Sequence, residues 1–476
     1  MNSKNIKQQT FDFAEEKNFK SRDLDFSQPI GDPFVEIGRL GLVEFCQRDK
    51  FEEIEELKKY IEKLFKSYVF NPTKTLNQIF SDNSKFTHNS SSKDLDKRYK
   101  NSIEYFELLM NQKINGYCLS CGAKNNLSKV EKMIFPLTTG DKNVNFTSYF
   151  SGNLLMCKKC MISLFFTPIN MKKVDWGKAF LISENKEINY FYTEENISEY
   201  KSNLVKNIDI LPDSKINIFE NFIYSTLENL QFEGLFGDIT FYLISNVDRN
   251  TQVKLIHTYR KQMEFINKVA PKPFKSSLPT KQKDEWNYLI VKYSKKERSE
   301  SRKKIKFDKE VLEEKKYSSI IKYYNPVIRN FIQGKSILSF LKKSKSSWNL
   351  TSLYLKEIRN MREERLETIK NVAEKLMLLN KNNDKEFIRK VVFPIEKTKS
   401  QSELRTKLRE FMRKLLVVSK EPLLTADDMV FRILPQGESW QETKDILLIA
   451  LYEKLSFDEE IEQEFQNLTT QGEDYE

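Results

Sequence analysis

Gly116-Tyr117-Cys118-Leu119-Ser120-Cys121-Gly122 and, further along, Cys157-Lys158-Lys159-Cys160 contain four of the five cysteines in a chain of 476 residues. Two cysteines separated by two residues direct both sulfurs at one point when the backbone between them turns tightly, and Gly122 permits the positive φ that such a turn needs. Two such turns make a tetrahedral thiolate cage. Zinc is the expected occupant, because it accepts four soft thiolates without a geometric demand of its own. A closed set of Cys118, Cys121, Cys157 and Cys160 leaves no position for water, so the expected role is structural. Between Cys121 and Cys157 lie 35 residues, against roughly fifteen to twenty in a compact ribbon. The spacing therefore predicts a zinc ribbon that carries an insertion. A lone C-x-x-C can be a redox dithiol, but a second pair has no job in that scheme. Cys46, alone in an apolar helical stretch, reads as a buried small side chain.

The length exceeds what one hydrophobic core supports, so two or three lobes are expected. Apolar residues make up 39% and charged residues 31%, the balance of a globular chain with a charged surface. Met1 to Ser27 is polar and charged, and no apolar run approaches the roughly eighteen residues of a membrane span. Together with cysteines arranged for metal rather than bridges, this predicts a cytoplasmic protein without a membrane partner. Net charge is +11, and Lys254 to Lys306 alone carries sixteen Lys/Arg against five acids. The end of the chain, Tyr452 to Glu476, has nine acids and one lysine. A basic region of this density is the electrostatic footprint of a polyanion, nucleic acid being the commonest, or else a solvated lysine-rich surface.

In chain order, Gly31-Asp32-Pro33-Phe34 starts a helix that runs to Cys46, with Asp32 as cap and Pro33 in the first turn. Ile54, Leu57, Ile61, Leu64, Phe65 and Tyr68 mark a second helix, ended by Asn71-Pro72. Ser102 to Met110 reads as a third. Met133 to Pro136 and Asn145 to Phe150, between the cysteine pairs, have strand or loop character. Ala179–Ser183, Ile188–Tyr192, Ile239–Ser245 and Val253–Tyr259 read as strands, which predicts an antiparallel sheet with helices packed on it. Pro271, Pro273 and Pro279 interrupt the basic region, so Lys272, Lys275, Lys281 and Lys283 are expected on loops. Trp286, Tyr288 and Tyr293 then interleave with charge up to Lys295, Lys296, Arg298, Arg302, Lys303 and Lys304. Aromatics beside cations can stack on unpaired bases while ammonium groups hold phosphates; the alternative for each ring is a place in the core. After Phe307 the pattern is helical, with stripes at Leu366-Ile369-Ala373-Leu376 and Leu404-Leu408-Phe411-Leu415, and a capping box at Ser439 to Glu442.

The fold class is therefore α+β: a mixed N-terminal lobe with an antiparallel sheet and an inserted four-cysteine zinc ribbon, followed by a C-terminal α-helical bundle. The segments are 1–115, mainly helical; 116–165, the ribbon; 166–306, the rest of the lobe with the basic loops; and 307–476, the bundle. Phosphate-binding, dinucleotide, zinc-protease and nucleophile-elbow motifs are all missing. The only histidines are His88, in a polar loop, and His257, which reads as a core residue within a strand. No carboxylate pair stands out among 68 acids, so a non-enzyme is expected.

Gly31 to Gly38, Gly116 to Gly122, and Phe135-Pro136-Leu137 ahead of Cys157 to Cys160 resemble the CXXC-CXXC branch of CRISPR large subunits, of the type I-B Cascade complex. The segments Ile239 to Arg249 and Val253 to Phe265 are similar to that family's central strand region. The resemblance covers about the first 270 residues, and the helical remainder fits by class. It implies a non-catalytic subunit of a crRNA-guided surveillance complex that contacts crRNA and backbone subunits. Such a subunit reads the protospacer-adjacent motif on target double-stranded DNA, supports R-loop formation and recruits a helicase-nuclease in trans. It also implies a small subunit made from an internal start, for which Met361 is placed. Read from the residues alone, the chain also fits a stand-alone zinc-ribbon nucleic-acid binder or, less well, a metal-dependent nuclease.

Overall fold

A computed structural model describes residues 24–71, 94–130, 154–174, 177–206, 211–213, 218–247, 250–269, 281–294, 323–381, 383–419, 424–437 and 439–455. The chain divides into two compact units. The first comprises Met1–Ile182, Asn189–Ser214 and Tyr242–Leu255; the second comprises Ser183–Ile188, Lys215–Phe241 and Ile256–Glu476.

In the first unit, α1 spans Pro33–Cys46, and the Asp32 carboxylate accepts from the Phe34 and Val35 amides. That satisfies two of the amides a helix start leaves bare. The next helices are α2 (Ile54–Phe70) and α3 (Leu95–Asn111), the latter capped by Asp94. Leu57, Ile61, Leu64, Phe65 and Tyr68 are buried, as the helical spacing predicts. Strands β1 (Leu127–Val130) and β2 (Leu154–Cys157) pair antiparallel, Leu127 opposite Cys157 and Val130 opposite Leu154. Helix α4 (Lys158–Phe166) follows at once, then a 3-10 turn, Thr167–Asn170. Phe65, Phe106 and Phe165 meet edge to face, which centres the core between α2, α3 and α4.

Helix α1 lies directly on α4, and the sequence reason is Gly38. A β-carbon there would stand 2.1 Å from the Ser163 carbonyl oxygen, a backbone atom with no freedom to yield. One turn on, a β-carbon at Gly41 would meet its nearest neighbours at 3.1 and 3.2 Å. Next to this seam Arg39 is buried, its Nε and Nη2 donating to the Glu36 carboxylate at 2.8 and 2.6 Å and its Nη1 to the Phe26 carbonyl. Glu36 also accepts from the Ile30 amide. The pair therefore ties the segment before α1, at Phe26 and Ile30, to the helix. Removing either partner leaves a buried charge without its counter-ion.

Strands β3 (Lys172–Val174), β4 (Gly177–Ser183), β5 (Ile239–Val247) and β6 (Asn250–Thr258) form a sheet in that order. Phe34 of α1 meets Phe180 of β4 edge on, and Phe180 stacks on Tyr242 at 4.6 Å. Ile188–Tyr192 is not a strand. It lies in α5 (Lys186–Lys206), where Ile188, Tyr192, Ile197 and Tyr200 are buried; the β-branched and aromatic residues that suggest a strand form one helical stripe. His257 is also not a core residue: on β6 its ring is exposed, bonded to Thr240 through Nδ1 at 3.0 Å and edge on to Tyr259. In β6 the outward register falls on Val253, Leu255 and His257, an apolar-looking series that the sequence does not distinguish from a buried one.

The second unit is largely helical. It contains α6 (Phe219–Phe232), α7 (Arg260–Val269), α8 (Lys281–Tyr293), α9 (Pro326–Ile332), α10 (Leu338–Lys343), α11 (Trp348–Glu357) and α12 (Glu363–Met377). Helices α13 (Asp384–Phe387) and α14 (Phe393–Glu396) join through a π turn, and α15 (Gln401–Ser419) and α16 (Trp440–Tyr452) complete the series. Both predicted stripes, on α12 and α15, are buried. At α16 the Ser439 hydroxyl caps the Glu442 amide, while the Glu442 carboxylate engages Arg359. Lys342 is enclosed with Glu396 and Asp445 at 2.9 and 2.8 Å, and the Tyr452 hydroxyl donates to Glu396. Burial works against the charge on Lys342, but the two carboxylates outweigh it and hold its pKa above the usual lysine value. Burial likewise pushes the Asp445 carboxyl up.

Two measurements check this packing. Gly38→Ala is expected to destabilise the protein by roughly 1–3 kcal/mol in denaturant titration, because overpacking exceeds the helix-propensity gain of about 1 kcal/mol. Gly41→Ala is expected near neutral, and equal effects would refute the seam. Lys342→Met is expected to cost roughly 3–5 kcal/mol near neutral pH by removing the one ammonium that both buried acids contact directly. Burial raises the folded-state pKa of the Asp445 carboxyl, so the deficit shrinks as pH falls through it; a deficit independent of pH would contradict the assignment.

Candidate metal centre

The first cysteine pair sits on a knuckle closed by short backbone bonds. Tyr117 bridges Lys124, the Cys118 amide donates to the Ala123 carbonyl at 2.8 Å, and the Gly122 amide donates back to the Cys118 carbonyl at 2.9 Å. Gly122 has φ +71°, the left-handed value that the sequence anticipates at this turn. The Leu119 amide donates to the Leu155 carbonyl, fixing the knuckle to β2.

The second pair is built differently from the predicted ribbon, which would supply a matching turn. Cys157 is the last residue of β2 and the N-cap of α4, and Cys160 occupies the first turn of that helix. A strand end followed by a helix start brings two side chains three residues apart to one side, and the bare amides of the helix favour anionic sulfur there. The cradle is therefore a knuckle, a hairpin and a helix N-terminus.

The four sulfurs lie within 4.8 Å of one another, and Cys121 Sγ is 3.6 Å from Cys157 Sγ. All four are free thiols, far beyond disulfide length. Tetrahedral coordination at about 2.3 Å separates sulfurs by about 3.8 Å, so the set fits one ion. Cys118, Cys157 and Cys160 are buried and Cys121 is exposed. Hydrogen bonds from Cys157 and Cys160 hold the Cys118 thiol well below the ordinary range. The bond to Cys118 pushes Cys157 up to about 12, and bonds to Cys118 and Cys157 push Cys160 up as well. Metal binding by thiols requires their deprotonation, so a divalent ion held by the four sulfurs takes the place of thiol protons. Cys46 stands apart, buried and pushed up to about 12 by desolvation, an inert core thiol.

Two further side chains tie the cradle to the core. Ser120, inside the first pair, donates to Asp32 Oδ2 at 2.7 Å, so one carboxylate caps α1 and holds the knuckle. Lys158, inside the second pair, is buried. Its ammonium donates to the carbonyls of Leu109 and Gln112 at 2.7 Å and to the Ser128 hydroxyl. A cation at the C-terminal end of α3 meets the negative end of that helix. The sequence carries no signal for Lys158, since a lysine between metal ligands ordinarily reaches solvent; Asp32 is legible as a cap but not as a partner of the knuckle.

The expected nucleic-acid residues are placed less fully. Lys281 and Lys283 stand on helix α8 rather than on a loop, because the helix begins just past Pro279. Lys272, Lys275, Lys295, Lys296, Arg298, Arg302, Lys303 and Lys304 lie outside the described residues, as do His88 and the segments Met133–Pro136 and Asn145–Phe150. Trp286 is core: its indole N–H donates to the Tyr224 hydroxyl at 2.9 Å, and its ring meets Phe265 edge on. Tyr293 packs on Phe340, and Tyr288 remains exposed beside Lys292. Among the described residues no helix is long and apolar enough to cross a membrane. Compared with known proteins, the chain matches no family model, no curated protein and no solved structure.

Single Cys→Ser changes at 118, 121, 157 and 160 are each expected to lower metal affinity at least tenfold, whereas Cys46→Ser retains it. Elemental analysis of reduced protein at matched pH reads this directly. A metal content unaffected by the four changes would dismiss the centre.

Proposed function

We propose that this chain is a non-catalytic large subunit of a type I-B CRISPR Cascade complex, holding one structural zinc ion on Cys118, Cys121, Cys157 and Cys160. The observation that carries the reading is a meeting in space. The segments that bear the resemblance, Gly31 to Gly38 and Gly116 to Gly122, touch through the Asp32–Ser120 bond, and Gly38 seats α1 on the helix that supplies Cys160. Residues far apart in sequence thus belong to one construction. Four thiolates favour zinc over harder ions, and their closure leaves no position for substrate or activated water.

In this role the zinc cradle braces the first unit and the basic region engages phosphates, while base pairing of the crRNA reads the target. Its partners are crRNA, target double-stranded DNA, the backbone subunits and a helicase-nuclease that supplies the cutting. Recognition of the protospacer-adjacent motif requires a few side chains at base edges. A small subunit started at Met361 would begin just before α12 and carry the helices that follow.

The test is co-expression of the tagged chain with its neighbouring genes. Copurification of a guide RNA with backbone subunits is expected, and the assembled complex is expected to bind duplex DNA with a steep salt dependence. Replacing Lys295, Lys296, Arg298, Arg302, Lys303 and Lys304 together removes up to six phosphate contacts. This is expected to flatten the slope of log affinity against log salt by about five, with similar loss at every DNA sequence. Tight DNA binding by the chain alone, with no RNA or partner, would favour an independent zinc-centred binder. Cleavage with magnesium or manganese would overturn the non-catalytic assignment.

A further inference from the structure

The four clustered cysteines differ in their access to solvent. Cys118, Cys157 and Cys160 are buried, and Cys121 is exposed. It heads an exposed run, Cys121 to Asn125, so the outer part of the knuckle meets water along its length. Residues 112–130, which contain the knuckle, hold three lysines and no acid. Asp32, the carboxylate that Ser120 draws to the knuckle, is already engaged by that hydroxyl and by two amides of α1. An exposed sulfur in such electropositive surroundings is open to small oxidants, whereas the buried thiol of Cys46 is shielded from them.

A second sulfur is placed to complete the reaction. Cys157 Sγ lies 3.6 Å from Cys121 Sγ, and both are free thiols. An S–S bond of about 2 Å is therefore less than about 2 Å of sulfur movement away. Backbone holds the two together independently of their side chains: the Leu119 amide, two residues before Cys121, donates to the carbonyl of Leu155, two residues before Cys157. An accessible sulfur beside a resolving thiol is the arrangement of an oxidant-sensing pair.

We propose that Cys121 is an oxidant-sensitive modification site, with a hydroperoxide as co-reactant, and that Cys157 is its resolving thiol. The Cys121 sulfur attacks the peroxide: an S–O bond forms, the O–O bond breaks, and with hydrogen peroxide the departing oxygen leaves as water. The Cys157 sulfur then attacks the Cys121 sulfur, forming the S–S bond while the S–O bond breaks and a second water leaves. Two thiols and one hydrogen peroxide thus give one disulfide and two waters, the sulfurs losing the two electrons that the peroxide gains. The disulfide removes two sulfurs from the set, so the oxidised chain keeps only Cys118 and Cys160 of the four and loses the closed metal site. That last consequence rests on the zinc reading; the disulfide itself does not.

The test treats the reduced full chain with hydrogen peroxide and reads two quantities separately. Peptide mass spectrometry is expected to find a Cys121–Cys157 disulfide, reversed by a dithiol reductant, with Cys46 unmodified. A chromophoric zinc chelator is expected to report release of one zinc ion per chain in step with that bond. In Cys157→Ser the sulfenic acid on Cys121 is no longer consumed by Cys157, and its trapping by dimedone is expected to rise several-fold over the parent. Failure of the Cys121–Cys157 bond to form, oxidation of Cys46 ahead of Cys121, or equal trapping in the parent and Cys157→Ser would overturn the proposal. Zinc retained in full after the disulfide has formed would overturn its coupling to the metal site. Reduced protein that carries no zinc yet forms the disulfide would leave the modification site standing and overturn the zinc reading instead.

Discussion

Four sulfur atoms held within 4.8 Å of one another cannot all be anionic unless a cation lies among them. That electrostatic constraint organises the first unit, because the sulfurs are delivered by different pieces of backbone: two positions of a knuckle, the end of a strand and the first turn of a helix. The surrounding polar contacts radiate from the same place. Ser120 passes the constraint to the cap of α1, and Lys158 passes it to the end of α3. The four-cysteine cluster is thus the joint between three helices rather than an ornament on a finished core.

In the second unit a buried ion cluster plays a comparable part. Lys342 is placed between Glu396 and Asp445, a buried charge cluster in which one ammonium serves both carboxylates. The members come from three helices, and the Tyr452 hydroxyl completes the set. Such clusters add little net stability over an apolar core, but they penalise any misplacement of the helices that contribute to them.

Much of this was legible in the sequence. The cysteine spacing picked out the four residues that come together, and helical periodicity located α2, α12 and α15 from their apolar residues alone. What the spacing could not show was the form of the second pair, since C-x-x-C fits equally a turn or a strand end that runs into a helix. Ile188–Tyr192 misled because β-branched and aromatic residues suit a buried helical stripe as well as a strand. His257 misled in the opposite direction: an apolar-looking strand can turn its alternate residues outward. Lys158 and the Arg39–Glu36 pair were invisible for a common reason. A buried charge is recognisable only through its partners, and those partners are backbone carbonyls or residues whose burial the sequence does not state.

The pairing of Val130 with Leu154 has a consequence for the long interval between the cysteine pairs. Val130 and Leu154 stand opposite each other on paired strands, so the register itself sets side by side the points where the chain leaves β1 and enters β2. The free energy of closing such a loop grows only logarithmically with length, about 0.6 kcal/mol per doubling. A change in the number of residues between the strands therefore carries little closure entropy, and the β1–β2 register is what sets the position of Cys157 opposite Leu127.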